Sequence, residues 1–376
     1  MTVTVTVTVT GSEPVVFAHE AERRQRVAVL GTSGHAFRNY LPVLPFVPVE
    51  YVAQWDPDLA RAKAFARQFG AGDAGYDDVA ALLRAHAPEA VWIATDEVEA
   101  DGRTVQPRLI AQCLAAGCHV FCDKPVASTA AEVRELIRLR DGAGRTVAVG
   151  AKTMHYPTYS RVRALLDDPA AGFGALVSLT ARYPLTVPPR GGLPHADRAR
   201  RACLGHVWHP AGAALRVGGP LRRLHVFADA GGRNAVVAGH FRSGAVVGFH
   251  FPRTKSGFSP LEHLEAVGEG ANAVVENAAR LTYYRKGSPG PYGRMADMLS
   301  PLADGPLRWE PELSLGTLYN DHNFIQGYGQ SLLHFTAAAL AGRPVAVGTL
   351  EDALEILKVF EALCQGPDAD VVLGEG

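Results

Sequence analysis

The sequence has no long apolar run and almost no net charge. Its apolar stretches fall short of the roughly 18 residues that a membrane-spanning helix needs, and its 37 Lys and Arg residues are balanced by 38 Asp and Glu residues. A net charge of −1 gives no basis for binding nucleic acid or an anionic membrane. We therefore expect a cytoplasmic globular protein that binds neither of them.

Cysteine is scarce, and its spacing fits neither a disulfide framework nor a metal site. There are five cysteines, an odd number, and no C-x-x-C pair. Free, buried thiols in a reducing compartment are the expected arrangement, without a metal ion. The residues concerned are Cys113, Cys118, Cys122, Cys203 and Cys364.

The N-terminal stretch lacks the pattern of a secretory signal, because no charged segment precedes an apolar core. Residues 1–24 contain instead a Thr-Val repeat. Its period of two would suit a strand added to a sheet edge. Low-complexity termini are more often disordered, and we expect a disordered leader here.

A dinucleotide-binding pattern is present close behind this leader, although in incomplete form. A buried-strand pattern at 26–30 is followed by Gly31, Ser33 and Ala36 at the three positions where the full motif has glycine. Gly31 permits a sharp turn, and the two other small residues let the backbone approach a pyrophosphate. Such a degenerate turn also occurs in ordinary connections between a strand and a helix.

An acidic residue at the right distance favours the nucleotide site. A helix is predicted at 37–44 and a second strand at 49–53, and Asp56 lies about twenty residues beyond Ala36. Its carboxylate can accept both hydrogen bonds from the adenosine ribose diol and would repel a 2′-phosphate. We therefore predict that the cofactor is NAD, with NADP as the alternative.

Strand and helix patterns alternate as far as residue 150 and then change character. In the first part, buried strands are separated by capped helices, which predicts a doubly wound parallel sheet of the Rossmann type. Beyond it, successive strand patterns with turn glycines are typical of an open-faced, mostly antiparallel sheet with helices on one side. We predict an α/β dinucleotide-binding domain at 25–150 and an α+β domain at 151–376. The last helices of the chain could pack back on the first domain.

Six features in order resemble the Gfo/Idh/MocA oxidoreductases, the family of glucose–fructose oxidoreductase and inositol dehydrogenase. The most specific is Asp123-Lys124-Pro125, which is similar to the family's Glu-Lys-Pro. The resemblance implies that the first domain binds NAD(P), and that the open sheet face of the second serves substrate binding and assembly into a homodimer or homotetramer. The other five features are Gly31-x-x-Gly34, Asp56, Ile93-Ala94-Thr95, the run Ala116 to Val120, and Gly327-Tyr328.

The resemblance assigns the cofactor to residues at the carboxyl ends of the first domain's strands, where ligands bind in open α/β sheets. The expected cofactor-binding residues are Gly31, Thr32, Ser33, Gly34, His35, Ala36, Asp56, Thr95, Asp123, Lys124 and Pro125.

Lys124 is the expected catalytic group. By the resemblance it sits near the nicotinamide and touches the substrate hydroxyl. A lysine at a strand's carboxyl end, beside a cationic ring and apolar walls, is suited to sharing a proton. Pro125 would fix the turn, and Cys122 would be a structural neighbour. A solvated surface lysine is the alternative, which the adjoining buried strand and proline disfavour.

A second family motif is only partly present. The family places an aspartate four residues before a histidine on a helix of the second domain. If His209 matches the histidine, Gly205 stands in the place of the acid. His206 lies one turn before His209, so that both could face one cleft. We expect His209 to assist Lys124 and keep His206 as a weaker catalytic candidate, with a structural role as the alternative for both.

Four residues are candidates for contact with a hydroxylated substrate. Lys152, His155 and Tyr156 stand where relatives often present an arginine and an aromatic residue, and Tyr319 belongs to a polar aromatic group that includes Tyr328. Plain packing would explain each of them equally well.

The expected function is hydride transfer between NAD(P) and a secondary alcohol or ketone of a sugar, cyclitol or glycoside. Two alternatives stay open, since function depends on the site and not on the fold. One is an NAD-dependent glycosidase or eliminase that oxidises its substrate transiently and accumulates no NADH. The other is a non-catalytic sensor of the same fold that binds the dinucleotide, which Gly205 favours slightly.

Overall fold

Two compact units make up the chain in this computed structural model, which describes residues 4–6, 16–18, 23–229, 231–286, 305–310 and 321–374. Each unit consists of two segments of the chain. The described residues up to Lys152 and those from Asp321 to Leu354 form the first unit. The described residues from Thr153 to Glu310 and those from Glu355 onward form the second. In the leader, Thr4–Thr6 and Val16–Ala18 pair as short antiparallel strands.

The first unit is built on a parallel sheet of six strands. These are β1 (Gln25–Leu30), β2 (Val49–Trp55), β3 (Gly75–Tyr76), β4 (Ala90–Ile93), β5 (His119–Asp123) and β6 (Val147–Gly150). Their order across the sheet is β3-β2-β1-β4-β5-β6, and all neighbours are parallel. This is the order of a dinucleotide-binding fold, whose crevice opens between the first and fourth strands. The predicted Rossmann sheet is confirmed.

The helices follow the predicted cap signals closely. Asp58 accepts hydrogen bonds from the backbone of the first turn of α1 (Leu59–Phe69), and Gly70 ends that helix at a φ of 101°. Thr129 and Glu132 form a capping box at the start of α4 (Ala130–Ala143). The helices are α1 (Leu59–Phe69), α2 (Val79–His86), α3 (Gln106–Ala115), α4 (Ala130–Ala143), α5 (Pro157–Asp167), α6 (Arg198–His206), α7 (Trp208–Gly218), α8 (Asp321–Ile325), α9 (Tyr328–Leu340) and α10 (Leu350–Leu363).

The segment after Gly31 is not the α-helix that the sequence predicts at 37–44. A π-helical turn, Ala36–Tyr40, passes directly into a 3₁₀ helix, Leu41–Phe46. Pro42 and Pro45 explain the difference, because each removes a backbone donor and its ring would clash with the preceding turn of an α-helix. The segment nevertheless buries Ala36, Tyr40, Leu41, Val43 and Leu44 in the core of the first unit.

A helix from far along the chain completes that core. Helix α9 places Leu332 and Phe335 in one buried cluster with Val27, Trp92 and Phe121 of the sheet. The rings of Phe121 and Phe335 lie 5.8 Å apart between centroids. The hydrophobic contribution of α9 therefore belongs to the first unit.

The sequence predicts one helix across 322–341, and the structure has two. Helix α8 ends at Ile325, and α9 starts at Tyr328 after Gly327, whose φ of 77° lies in the left-handed region. A residue in that conformation cannot continue a right-handed helix, and glycine adopts it without steric cost. The predicted single helix is therefore wrong at this point.

The second unit is built on a nine-stranded, mostly antiparallel sheet. Its strands are β7 (Leu176–Arg182), β8 (Leu221–Ala228), β9 (Asn234–Phe241), β10 (Val246–Pro252), β11 (His263–Gly268), β12 (Asn272–Glu276), β13 (Arg280–Tyr284), β14 (Leu307–Trp309) and β15 (Asp370–Val372). Their order is β14-β13-β12-β11-β7-β10-β9-β8-β15, and β7 and β10 are parallel. Side chains along β9 alternate strictly between exposed and buried, as one solvent-facing sheet surface requires. The predicted antiparallel class is confirmed.

Two further features concern membrane-spanning helices and the state of the cysteines. In the described ranges, no helix combines the length and the apolar character that crossing a membrane requires. All five cysteines are buried and free. Burial raises the pKa of the Cys118 thiol to about 11, which keeps it protonated at neutral pH.

Candidate functional site

The carboxyl end of β1 forms a turn that requires glycine. Gly31 has a φ of 109°, and a Cβ at this position would lie 2.4 Å from the carbonyl oxygen of Ala94 and 2.7 Å from the Cβ of Thr95. The buried side chain of Gln54 fixes the turn from the other side, because its Nε2 donates to the Gly31 carbonyl at 2.7 Å. The turn is thus packed against the end of β4, at the point where a dinucleotide crevice opens.

Asp56 holds this turn with a carboxylate that is almost fully buried. Its Oδ2 accepts hydrogen bonds from the backbone N–H of Thr32 at 3.1 Å and from the Thr32 hydroxyl at 2.5 Å. Its Oδ1 accepts from the N–H of Asp58 and lies 3.9 Å from Nη1 of Arg61. The side chain is 4% exposed. A contact with a ribose diol would have to use the remaining lone pair of Oδ1.

The other predicted cofactor residues of this region are held by short local hydrogen bonds. The Ser33 hydroxyl accepts from the N–H of Ala36 at 3.1 Å. Thr95 is buried at the end of β4, and its carbonyl accepts from Nε2 of Gln106 at 2.8 Å. The turn after β1 and the loop after β4 are therefore both preformed in this fold.

A buried hydrogen-bond network surrounds Asp123 at the end of β5. The Tyr40 hydroxyl donates to Oδ1 at 2.7 Å, and Nδ1 of His35 lies 3.0 Å from Oδ2. An ionised carboxylate only accepts hydrogen bonds, so Nδ1 of His35 carries the proton. Burial alone would raise the pKa of Asp123. The hydrogen bonds from His35 and Tyr40, with the charge of Lys124, instead hold its pKa below the ordinary value.

This network makes a pH-dependent contribution to stability. Tyr40→Phe removes a donor to a charged acceptor and should lower the free energy of unfolding at pH 7 by about 1.5–3 kcal/mol. A carboxylate with a depressed folded-state pKa stabilises fully above its unfolded value of about 3.9, and loses this contribution as the pH falls through the folded value. The difference between variant and parent should therefore shrink below about pH 4 in urea titrations.

Tyr51→Phe is the matched control for that comparison. The Tyr51 hydroxyl donates to Oε1 of Gln54, a neutral acceptor, at 2.6 Å. Its removal should cost less, about 0.5–1.5 kcal/mol, and equally at all pH values. A Tyr40→Phe loss that is independent of pH would show that Asp123 is not the partner that matters.

Lys124 follows Asp123 directly, and its half-buried position is set by the same carboxylate. The N–H of Lys124 donates to Oδ1 of Asp123 at 2.8 Å, and the peptide bond from Lys124 to Pro125 is cis. The hydrogen bond to Asp123 fixes the backbone from which the lysine side chain projects, at the carboxyl end of β5.

Of the proposed substrate residues, Lys152 lies in the first unit. Nζ of Lys152 lies 3.0 Å from Oε1 of Gln326 and 4.9 Å from the centroid of the Tyr328 ring. Tyr328 in turn packs edge-on against Tyr40, with centroids 5.4 Å apart. Lys152 is thus connected to Asp123 through the rings of Tyr328 and Tyr40. Tyr319 lies outside the described residues.

In the second unit, His209 lines a small recess that is partly open to solvent. The imidazole stacks on the ring of Tyr183, with centroids 4.9 Å apart and planes 10° from parallel. Its Nδ1 lies 3.5 Å from Oε1 of Glu262. Burial, followed by the charge of Glu262, raises the pKa of Tyr183, so that its hydroxyl remains a donor. The lining residues are Tyr159, Ala181, Arg182, Tyr183, His209, Pro210, Ala213, Glu262, His263 and Leu264.

The structure does not bring His206 into this recess, although the sequence suggests that it could share a cleft with His209. Helix α6 ends at His206, and a separate helix begins at Trp208. The His206 side chain is exposed, and its Nδ1 lies 2.9 Å from the carbonyl oxygen of Ala202 in its own helix. This contact accounts for the orientation of the ring.

The two remaining substrate candidates lie at the start of the second unit. Tyr156 is buried, stacks on Tyr159 and donates through its hydroxyl to Oε1 of Glu262 at 3.5 Å. His155 ends a short 3₁₀ turn, Lys152–His155, and is half-buried. Tyr156 therefore packs against two residues that line the recess, Tyr159 and Glu262.

Sequence reasoning missed four residues that shape these sites: Tyr40, Gln54, Tyr183 and Glu262. Each acts through a partner at least 23 positions away along the chain. Gln54 alone left a local sign, a polar residue inside a run that reads as a buried strand. The other three occupy positions that no periodic pattern distinguishes.

Comparisons with known proteins give a family match for the first part of the chain and a fold for nearly all of it. Residues 25–151 match the model of an oxidoreductase family with an NAD-binding Rossmann fold, Gfo/Idh/MocA. The chain is 31% identical over 173 residues to a dTDP-3,4-didehydro-2,6-dideoxy-alpha-D-glucose 3-reductase of Streptomyces violaceoruber, covering 46% of this chain and 47% of the relative. It is 29% identical over 162 residues to D-xylose 1-dehydrogenase (NADP(+)) 2 of Haloferax volcanii, covering 43% and 46%. The chain thus spans about half the length of these relatives.

Solved structures resemble the chain over nearly its whole length. A dehydrogenase from Chromobacterium violaceum superposes with a TM-score of 0.74 at 20% identity, over 91% of this chain and 95% of that one. GenD2 from gentamicin A biosynthesis, in complex with NAD, superposes with a TM-score of 0.69 at 21% identity, over 97% and 100%. At these identities, the similarity establishes a shared fold.

Proposed function

We propose that this chain, whose residues 25–151 belong to the Gfo/Idh/MocA oxidoreductase family, is an NAD(P)-dependent oxidoreductase of a sugar or sugar-like alcohol. The observation that carries the proposal is the position of Lys124. It follows a strand whose carboxyl end lies at the ligand-binding edge of the sheet, and Asp123 fixes its backbone. Relatives named as a sugar reductase and a xylose dehydrogenase support this class of substrate.

The residues of the first unit fit a dinucleotide. The sheet order creates a crevice beside β1, and the Gly31 turn brings backbone so close to Ala94 that no side chain fits between them. The segment from Gly31 to Ala36 would hold the pyrophosphate through its backbone, with Asp56 and Thr95 at its sides. When bound, the nicotinamide supplies the site for hydride transfer.

The protein's own part in the reaction is proton transfer and orientation. Nζ of Lys124 accepts the hydroxyl proton when the substrate is oxidised and returns it when the ketone is reduced. In the second unit, His209 presents an imidazole fixed by stacking on Tyr183, a suitable hydrogen-bonding group for a sugar hydroxyl.

Asp56 should set the preference between NAD and NADP. Asp56→Ala removes both the hold on Thr32 and the negative charge that repels a 2′-phosphate. We expect the Kd for NADH to rise about tenfold, the loss of one hydrogen bond to a charged group, and the Kd for NADPH to rise less. Fluorescence titrations with the two cofactors measure both values.

Thr32→Val separates the effect of the Thr32–Asp56 hydrogen bond from the effect of the negative charge of Asp56. It removes one donor to Asp56 and keeps the charge, so it should weaken NADH and NADPH binding by the same factor. If Asp56→Ala leaves the ratio of the two Kd values unchanged, then Asp56 acts on the turn alone and another group sets the preference.

The experiment that tests the function starts from the purified full-length chain. Heat denaturation releases any co-purified dinucleotide for chromatography, and the stripped protein is titrated with NADH and NADPH. Nicotinamide absorbance is then followed with a panel of aldoses, cyclitols, glycosides and a dTDP-linked keto-deoxysugar. A substrate-dependent absorbance change supports the proposal. Glycoside cleavage without net NADH would favour the transient-oxidation alternative, cofactor binding without turnover would favour the sensor, and no dinucleotide binding would refute all three.

A further inference from the structure

The acid that the resemblance places four residues before the histidine is absent from this chain. Gly205 stands four residues before His209, and a Cβ at Gly205 would meet no atom within 4 Å. Packing therefore does not require glycine there. The described surroundings of His209 supply a carboxylate from a different element.

That carboxylate belongs to Glu262, at the entry to β11. Its Oε1 lies 3.5 Å from Nδ1 of His209 and accepts from the Tyr156 hydroxyl at 3.5 Å. The side chains of Glu262 and His209 are 11% and 13% exposed, so neither group is well solvated. At this burial an electrostatic interaction is stronger than between surface groups.

The backbone of Glu262 is fixed by the turn that follows β12. Oδ1 of Asn277 accepts from the N–H groups of Leu261 at 2.7 Å and Glu262 at 3.3 Å, and the N–H of Asn277 donates back to the Glu262 carbonyl at 3.0 Å. The Thr158 hydroxyl donates to the neighbouring Ala278 carbonyl at 2.8 Å. Glu262 is thus held from two sides, as an orienting residue must be.

A buried carboxylate beside Nδ1 has a defined effect on an imidazole. It favours the tautomer in which Nδ1 carries the proton, which places the lone pair on Nε2, and it stabilises the imidazolium when Nε2 accepts a proton. Arg182 opposes the second effect with a permanent positive charge at the same recess. The other titratable groups around the imidazole are Tyr156, Tyr159, Tyr183 and His263.

We propose that Glu262 is the positioning residue for His209 and takes the place of the acid missing at Gly205. The proposal rests on the proposed oxidoreductase function for its kinetic consequence, but its structural part stands independently of turnover. Through Glu262, the histidine keeps its tautomer and its proton affinity without a carboxylate on its own helix.

Imidazole NMR of the full chain, labelled with ¹⁵N-histidine, tests the structural part. The signal that disappears in His209→Gln assigns His209. We expect the Nδ1–H tautomer in the parent. In Glu262→Gln, which removes the charge and keeps an oxygen beside Nδ1, the tautomer should persist while the proton affinity of His209 falls about tenfold or more, one pKa unit. In Glu262→Ala the Nε2–H tautomer should appear.

Glu265→Gln is the matched control, the same substitution three residues on in β11, where Asn272 donates to the carboxylate at 2.9 Å. It should leave the His209 signals unchanged. Circular dichroism checks that each variant is folded. The proposal is overturned if Glu262→Gln shifts the His209 titration no more than Glu265→Gln does.

Kinetics test the functional part separately. With an active substrate, Glu262→Gln should lower kcat at least tenfold at unchanged KM for the cofactor. The double variant with His209→Gln should be no slower than His209→Gln alone, because the two residues act as one unit. Additive losses would overturn the positioning role. If the parent turns over no substrate, the oxidoreductase proposal fails, while the NMR result still decides whether Glu262 positions His209.

Discussion

Lys124→Ala should lower turnover by about 10²–10⁴-fold, the usual contribution of a positioned acid–base group, and leave the Kd for NADH within a few-fold. In the proposed function this side chain transfers the substrate proton, whereas the proposed cofactor contacts at the Gly31 turn, Asp56 and Thr95 are unchanged in the variant. Steady-state kinetics and fluorescence titration on the same preparation measure the two quantities.

Two further variants test whether the loss of turnover in Lys124→Ala is due to lost proton transfer. Lys124→Arg keeps the positive charge, but a guanidinium does not release its proton in proteins, so it should be as inactive as the alanine variant. Lys63→Ala, on α1 of the same unit, should retain full activity. Substantial turnover by Lys124→Ala would remove the lysine from its role, and a parallel loss of NADH binding would make it a cofactor ligand instead.

Gly31→Val should destabilise the first unit more than any other single change proposed for this chain. The backbone at a φ of 109° costs a β-branched residue about 1–3 kcal/mol, and the side chain would have to displace the Ala94 carbonyl oxygen, 2.4 Å from its Cβ. Overpacking of this kind costs about another 1–3 kcal/mol. We expect a loss of roughly 2–6 kcal/mol in urea unfolding and no measurable dinucleotide binding.

Gly142→Ala provides a control of opposite sign. Gly142 lies in the last turn of α4, and a Cβ there would meet no atom within 4 Å. Alanine in a helix is more stable than glycine by up to about 0.5–1 kcal/mol, with less gain near a helix end. A protein that tolerates valine at position 31 and still binds NADH would show that the turn is not built on glycine.

The sequence predicted the elements whose signals are local. Helix α1 begins at Asp58 and ends at Gly70, and α4 begins with the Thr129 capping box, as the cap patterns indicate. The alternation of strands and helices was sufficient for the sheet class of the first unit. By contrast, β14 and β15 have three residues each and leave no periodic pattern to detect.

The candidate sites were predictable only where one segment carries the whole signal. The Gly31 turn and Lys124 stand in recognisable motifs. Tyr40 donates to a carboxylate 83 positions away, and Glu262 meets a histidine from a separate helix. Such contacts form only when distant parts of the chain pack together. The local patterns of a single sequence do not indicate which distant residues will become neighbours.

Because α9 packs in the core of the first unit, the first unit cannot be obtained complete as one continuous fragment of the chain. The segment that matches the family model ends at residue 151, before the helix that supplies Leu332 and Phe335 to the core of the same unit. A fragment cut there would leave Val27, Trp92 and Phe121 without those partners. The first unit is therefore built from two segments of the chain, and a chimera that transplants it with its core complete must carry both.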